Sequence, residues 1–394
     1  MEDTVKRSLE IGQSVSTLGE GDSINVNNTY QLVTENATGL AVPRSQVKTT
    51  SKTIRKAWLD YLRVFAILAV ITGHIIVDFY RKYGEVGPVE WWLSNILSTL
   101  LRVSVPIFVM ISGSLLLGRS YTLGNFYKKR AVRLIPPIIF WNLVYLALYL
   151  LDGMDVQTLL WTLKARIMVD GFVAPHLWYL SMFICLMIFV PFINKFIVGD
   201  KPTMLDLSVL VGATFPFFLL NAVSNVASSI YGLSMNWFKI FPWFIVYFIA
   251  GYYIDNYSNK IPLKNSTLMA SIIVLMAIGS GLNYFAVSSL GITNECFIIS
   301  EMSPLVFLTA IFVFLLAKKL SSKFVANRVI STVAEASFGM YLIHEIFNGI
   351  FFKLLPDYFS HGLIYIPIIV VSTSILSFIS IYLLRKIPFM RMVC

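Results

Sequence analysis

Arg63 and His74 lie in one apolar run, WLDYLRVFAILAVITGHIIVDFY, from Trp58 to Tyr80. A run of that length crosses a bilayer as a single helix. An ionisable side chain at the bilayer centre costs roughly 3 kcal/mol or more unless something polar receives it, so such residues are functional candidates by default. Eleven residues at about 100° each make close to three turns, which puts both side chains on one face, roughly 16 Å apart along the axis. That face carries a permanent cation toward one end and a titratable imidazole toward the other. The pair marks a site.

A second constellation is KKRAVRLIPP, Lys128 to Pro137. Arg130 and Arg133 are three residues apart and project from one helical face. Two forked guanidinium groups beside Lys129 suit a polyanion such as a phosphate or pyrophosphate. The same cations also serve as an ordinary anchor at the membrane surface. Pro136 and Pro137 are expected to start or kink the span that follows.

Other polar residues sit in or beside apolar runs. His344 and Glu345 are adjacent in one span, where a carboxylate needs a partner, as a site residue or in a structural ion pair. Arg102 precedes Pro106 in the second run and must face other helices. Asp60 is expected to cap the first helix, with pairing to Arg63 as the alternative. His176, Trp178 and Tyr179 read first as an interfacial aromatic belt, with acceptor binding second. Glu301 reads as an interfacial residue.

The elements that position these residues follow from composition. The chain has 394 residues, 57% hydrophobic and 13% charged, with a mean hydropathy of +0.74. No soluble globular domain of this length has that balance. The apolar residues come in blocks of about twenty, the length of a membrane span. Ten spans are expected: Trp58–Tyr80, Trp91–Leu117, Ala131–Leu151, Leu177–Phe196, Leu205–Val223, Trp237–Ile254, Thr267–Val287, Ile299–Ala317, Val333–Phe352 and Leu363–Leu384. The predicted fold is therefore all-α, a polytopic bundle over residues 58–394. Lys and Arg crowd alternate loops, with Arg119, Lys128, Lys129, Lys195, Lys318 and Lys319 on one side. The other side has Arg81, Lys82, Lys164, Arg166 and Lys353. The positive-inside rule then places both termini in the cytoplasm. Residues 1–57, rich in Ser, Thr, Asn and Glu, read as a disordered cytoplasmic tail.

Several chemistries are excluded. The net charge of +10 is spread over short interhelical clusters, which argues against a nucleic-acid face. Three cysteines and four histidines without metal-ligand spacing support neither a disulfide framework nor a metal site. There is no phosphate-binding loop, dinucleotide fingerprint or nucleophile elbow. Catalysis must run on histidine, arginine, carboxylates and hydroxyls, without a permanently bound cofactor.

Five blocks in order, LDYLRVFAILAVITGH, RVSVPIFVMISGSLL, YKKRAVRLIPP, HLWYL and SFGMYLIH, resemble the acyltransferase family 3 membrane proteins. Arg63 and His74 match that family's Arg/Lys-x10-His motif, and Arg130 and Arg133 its R-x-x-R motif. Val64 departs from the pattern, where many members have Gly. The chain is more similar to the standalone branch than to members fused to an esterase-like domain. The resemblance implies transfer of an acyl group, usually acetyl, from cytoplasmic acyl-CoA to a hydroxyl of a cell-envelope glycan or lipid-linked sugar, in the cell membrane. It implies His74 as general base or acyl carrier, Arg63 orienting the donor or offsetting oxyanion charge, and Arg130, Arg133 and Lys129 holding coenzyme A. Arg102, Trp178, His344 and Glu345 remain candidates for contact with the substrate. A different class stays open: a transporter or flippase in which Arg63, Glu345 and His74 relay protons. The absence of inverted-repeat symmetry counts against it.

Overall fold

The computed structural model describes residues 55–199, 203–206, 209, 220, 224, 238–292, 300–355 and 358–394. The expected tail therefore lies almost wholly outside the described residues, as does most of the expected span Leu205–Val223. In the unit Lys56–Cys394 the described residues form helices joined by turns, with no strand among them. Its helices are α1 Ala57–Arg81, α2 Pro88–Leu101, α3 Ser104–Leu116, α4 Leu123–Leu151, α5 Val156–Asp170 and α6 Trp178–Val198. They continue with α7 Phe241–Tyr257, α8 Asn265–Leu290, α9 Pro304–Lys319, α10 Arg328–Leu354 and α11 Gly362–Leu384.

Local chemistry sets the boundaries. Asp155 caps α5 by accepting from the Gln157 and Thr158 amides at 3.0 Å, and the Thr158 side chain first, then these amides, hold its carboxyl below the usual carboxylate range. Asn327 caps α10 in the same way, and Ser303 caps α9. Pro88 and Pro304 open α2 and α9, where a missing amide hydrogen costs nothing. Pro136 and Pro137 lie inside α4, which runs through them without a break. The expected second span is interrupted at Arg102 and Val103, so that α2 and α3 are separate helices.

Among the described residues, six segments are long and apolar enough to cross a membrane: α1, α2 with α3, α4, α5 with α6, α8, and the segment ending in α11. This is fewer than the ten expected, for identifiable reasons. α7 has 17 residues and α9 has 16, each shorter than the ~20 of a straight span. α10 carries Arg328, Glu335, His344, Glu345 and Lys353 along its length.

α1 lies at the centre, packed on α2, α3, α10 and α11. Most of the apolar stretch in α2–α3 is buried (61%), whereas only 17% is buried in α4. Ile139 and Leu143 of α4 are exposed accordingly. In a membrane protein such surface meets lipid. α3 and α7 cross at van der Waals contact of their backbones. A Cβ on Gly113 would fall 1.8 Å from the Phe248 carbonyl oxygen, and one on Gly251 2.0 Å from that of Met110. Only glycine permits that approach. Buried amides and hydroxyls fasten α1 and α2 to α8: Asn283 Nδ2 donates to Asn95 Oδ1 at 2.7 Å, and Tyr80 Oη to Asn283 Oδ1 at 2.8 Å.

The buried side chains form two large apolar clusters. One joins the start of α1 to α3, α6, α7 and α9; the other joins the rest of α1 to α4, α10 and α11. Phe108 and Tyr179 pack against both. Two cavities open along that seam.

Candidate functional site

Two cavities share a wall. The larger, of about 420 Å³, is lined by Arg63, Arg119, Arg130 and Arg133 and by apolar side chains that include Phe108, Leu134 and Phe183. The smaller, of about 180 Å³, is lined by His74, Arg102, His176, Trp178 and Glu301. Val70, Val105, Tyr179 and Tyr341 line both. Arg63, Val70 and His74 follow one another along a single face of α1, so the helical spacing read in the sequence becomes a passage from guanidinium to imidazole.

The two cavities differ in charge. Among the described residues, no carboxylate pairs with Arg119, Arg130 or Arg133. Arg130 Nε is buried without a hydrogen-bond partner, and its guanidinium lies 5.1 Å over the Phe126 ring. Arg63 donates to Asp60 at 2.8 Å, and Asp60 also accepts from Ser331 at 3.2 Å. The expectation that Asp60 caps α1 is thus corrected: the N-cap of α1 is Lys56, without a side-chain cap. In the smaller cavity the charges are balanced, because Arg102 meets Glu301 at 3.1 Å. Glu301 is therefore an internal partner of Arg102, not an interfacial residue.

Behind His74 stands a carboxylate. Glu345 Oε1 lies 3.2 Å from His74 Nδ1 and 3.2 Å from His344 Nε2, and accepts from Asn348 at 3.2 Å. Thr373 in turn donates to Asn348 Oδ1 at 3.1 Å. His344 Nδ1 is 2.7 Å from the Tyr341 carbonyl oxygen, so its proton sits on Nδ1. Its Nε2 is buried and out of line for a hydrogen bond to Glu345; that approach is electrostatic. His344 has no exposed surface. His344 and Glu345, expected among substrate contacts, line neither cavity and instead support His74.

The ligand atoms of His74, His344 and Glu345 lie within 4.8 Å of one another, close enough to hold a metal ion. No local spacing announces this group, because His74 lies far along the chain from His344 and Glu345. Two imidazoles and a carboxylate with an open side form a donor set known for zinc. A shared proton satisfies the same atoms.

His176 was passed over as part of an aromatic belt. It is 3% exposed, and its ring centroid is 6.4 Å from that of His74 and 5.3 Å from that of His344. The loop that carries it is fixed at several points. Gly171 ends α5 in the left-handed region at φ 83°, Asn142 of α4 accepts from the Val173 amide at 2.9 Å, and Tyr341 Oη donates to the His176 carbonyl. Trp178, on the next turn, lines the smaller cavity. Lys129 is exposed and lines neither cavity, whereas Arg119, whose only signal in the sequence is membrane-surface charge, lines the larger one.

A family model of the acyltransferase 3 type, described as an acyltransferase domain, matches residues 56–382, and the chain belongs to that family. It is also similar to a Bacillus subtilis (strain 168) protein named "Putative membrane-bound acyltransferase YfiQ", 27% identical over 305 residues, which cover 75% of this chain and 81% of that one. No solved structure matches the chain.

Proposed function

We propose that this membrane acyltransferase moves an acyl group, acetyl by preference, from acyl-CoA to a hydroxyl of a cell-envelope glycan or lipid-linked sugar. The observation that carries the reading is the shared wall between a cavity where Arg119, Arg130 and Arg133 meet no carboxylate among the described residues and a charge-balanced cavity holding His74. Coenzyme A is a polyanion, and guanidinium forks suit its phosphates. A neutral sugar suits the balanced side, beside Trp178.

Glu345 accepts the Nδ1 proton of His74 and so fixes the tautomer, leaving Nε2 as the base. The acceptor hydroxyl gives its proton to Nε2 as its oxygen attacks the thioester carbonyl. The carbon–sulfur bond breaks, and His74 returns the proton to the departing thiolate. Arg63, about three turns from His74, belongs with Arg130 and Arg133 in holding the donor. Arg102, braced by Glu301, faces the acceptor side. The bundle has ten spans in the cell membrane with both termini cytoplasmic, which turns the arginine cavity toward the compartment that supplies acyl-CoA.

The test is direct. Membranes carrying the protein are incubated with labelled acetyl-CoA, and label is followed into glycan and lipid fractions. Label that enters neither fraction overturns the reading, and a transporter would leave it so.

A further inference from the structure

We infer that a third cavity, about 370 Å³ between the α3–α4 turn and α6, seats the nucleotide end of the donor, an adenosine carrying a phosphate monoester. This rests on the acyl-CoA reading above and deepens it. Arg119 lines both this cavity and the arginine cavity, so a ligand too long for one can continue past it into the other. Coenzyme A has that form: a thin thioester arm, a pyrophosphate, then a bulky phosphorylated nucleoside.

The turn that makes the cavity is held rigid. Asn194 of α6, 3% exposed, accepts from the Gly118 amide at 2.7 Å and donates to the Arg119 carbonyl at 2.8 Å. Gly118 has φ +74° and lies under the Tyr252 ring, where a Cβ would come within 2.7 Å. Arg119 is therefore placed between the two cavities by its own backbone.

The lining suits one phosphate and a neutral polar body. Lys195 is neutralised by Asp206, which leaves Arg119 as the uncompensated cation among the described lining residues. Thr122 occupies the N-cap of α4 without a side-chain cap, so the first amides of a long helix remain available to an anion. Tyr121 Oη is buried without a hydrogen-bond partner and lines the same cavity. An unsatisfied phenol, free amides and one guanidinium match a phosphorylated nucleoside better than a lipid chain.

The experiment uses the purified full chain in detergent, with adenosine 3′,5′-bisphosphate as the binding probe. Two donors are compared, acetyl-CoA and S-acetylpantetheine, which lacks the nucleotide. Thr122→Glu puts an anion at the cavity while keeping a residue that a helix N-terminus tolerates. We expect it to weaken bisphosphate binding on the order of tenfold and to raise the KM for acetyl-CoA to a similar extent, with the KM for S-acetylpantetheine unchanged. Tyr121→Phe should give the same split, smaller. Bisphosphate that fails to bind the wild type, or binds both forms alike, overturns the subsite, as does an equal change for both donors. Bisphosphate binding without acetyl transfer from either donor leaves the subsite in place and instead breaks the acyl-transfer reading.

Discussion

Two carboxylates, the buried Asp255 and the part-exposed Glu345, each gather two basic side chains, and their difference separates scaffold from candidate site. Asp255 meets Lys56, Lys318 at 2.9 Å and the Ser114 hydroxyl, with 1% of its side chain exposed. Its cations are lysines, charged at every pH the cell reaches, and it lines none of the three cavities. It ties α7 to α3, α9 and the start of α1. Glu345 meets two imidazoles and an amide. Imidazoles change charge near neutral pH, one of them lines a cavity, and the other keeps a buried nitrogen without a hydrogen bond. A carboxylate saturated by permanent charges fastens helices. On the proposed acyl-transfer reading, a carboxylate facing titratable groups beside a cavity manages protons.

The sharpest way to break the comparison is at His74. His74→Ala and His74→Gln should both lower acyl transfer by about 10²–10⁴-fold, the loss expected on removing a general base, with insertion and accumulation unchanged. Gln keeps a hydrogen-bonding group but takes no proton near neutral pH. Near wild-type transfer by His74→Gln would return the histidine to a packing role. Wild-type rate should rise with pH through one ionisation, because only the neutral imidazole is a base.

Glu345→Gln comes next. It keeps an acceptor beside His74 and removes the charge, so the rate should fall on the order of 10²-fold, with less effect on KM. An unchanged rate would make Glu345 a second Asp255.

The arginine cavity should answer in KM. Replacing Arg130 and Arg133 together by Ala should raise the KM for acetyl-CoA more than tenfold, and a Lys pair should restore part of it, since charge persists without the fork. Unaltered donor affinity in the Ala pair would leave these residues as membrane-surface anchors.

What the sequence could tell divides along the same line. The face shared by Arg63 and His74 was legible because helical periodicity is local. The R-x-x-R spacing likewise marked the helix face that lines the cavity, whereas Lys129, one step of about 100° away, falls outside it. Partners were illegible: Glu345 and Glu301 reach His74 and Arg102 across long stretches of chain, through packing of α1 on α10 and of α9 near α2. No short-range pattern encodes that. His176 was hidden because an aromatic cluster near a span end fits a membrane interface as well as a buried loop. Hydropathy marks α7 and α9 as apolar runs but does not say how much of each run is helix, and the helices themselves have 17 and 16 residues.

At the scaffold carboxylate, Asp255→Asn should lower stability and leave turnover per folded molecule intact. Breaking a fully buried pair costs ~3–5 kcal/mol. The effect here should be smaller, because Lys56 is 43% exposed and regains water. Thermal melting beside specific activity separates the two effects. A loss of turnover at unchanged melting temperature would erase the distinction between the clusters.

The smallest expected effect concerns the metal-like spacing of His74, His344 and Glu345. A cation bound at His74 Nδ1 would draw electron density from the ring and make Nε2 a poorer base, whereas a carboxylate at Nδ1 makes it a better one. Asn348 already donates to the same Glu345 oxygen that a metal would need. A proton between Glu345 and the imidazoles therefore serves the reaction, and a zinc ion opposes it. Prolonged dialysis against a strong chelator should leave acetyl transfer within about twofold of the untreated enzyme, and metal analysis of the purified chain should find less than stoichiometric zinc. Loss of activity on chelation, regained on adding zinc alone, would move His74 from base to ligand and make the Glu345 cluster a metal centre.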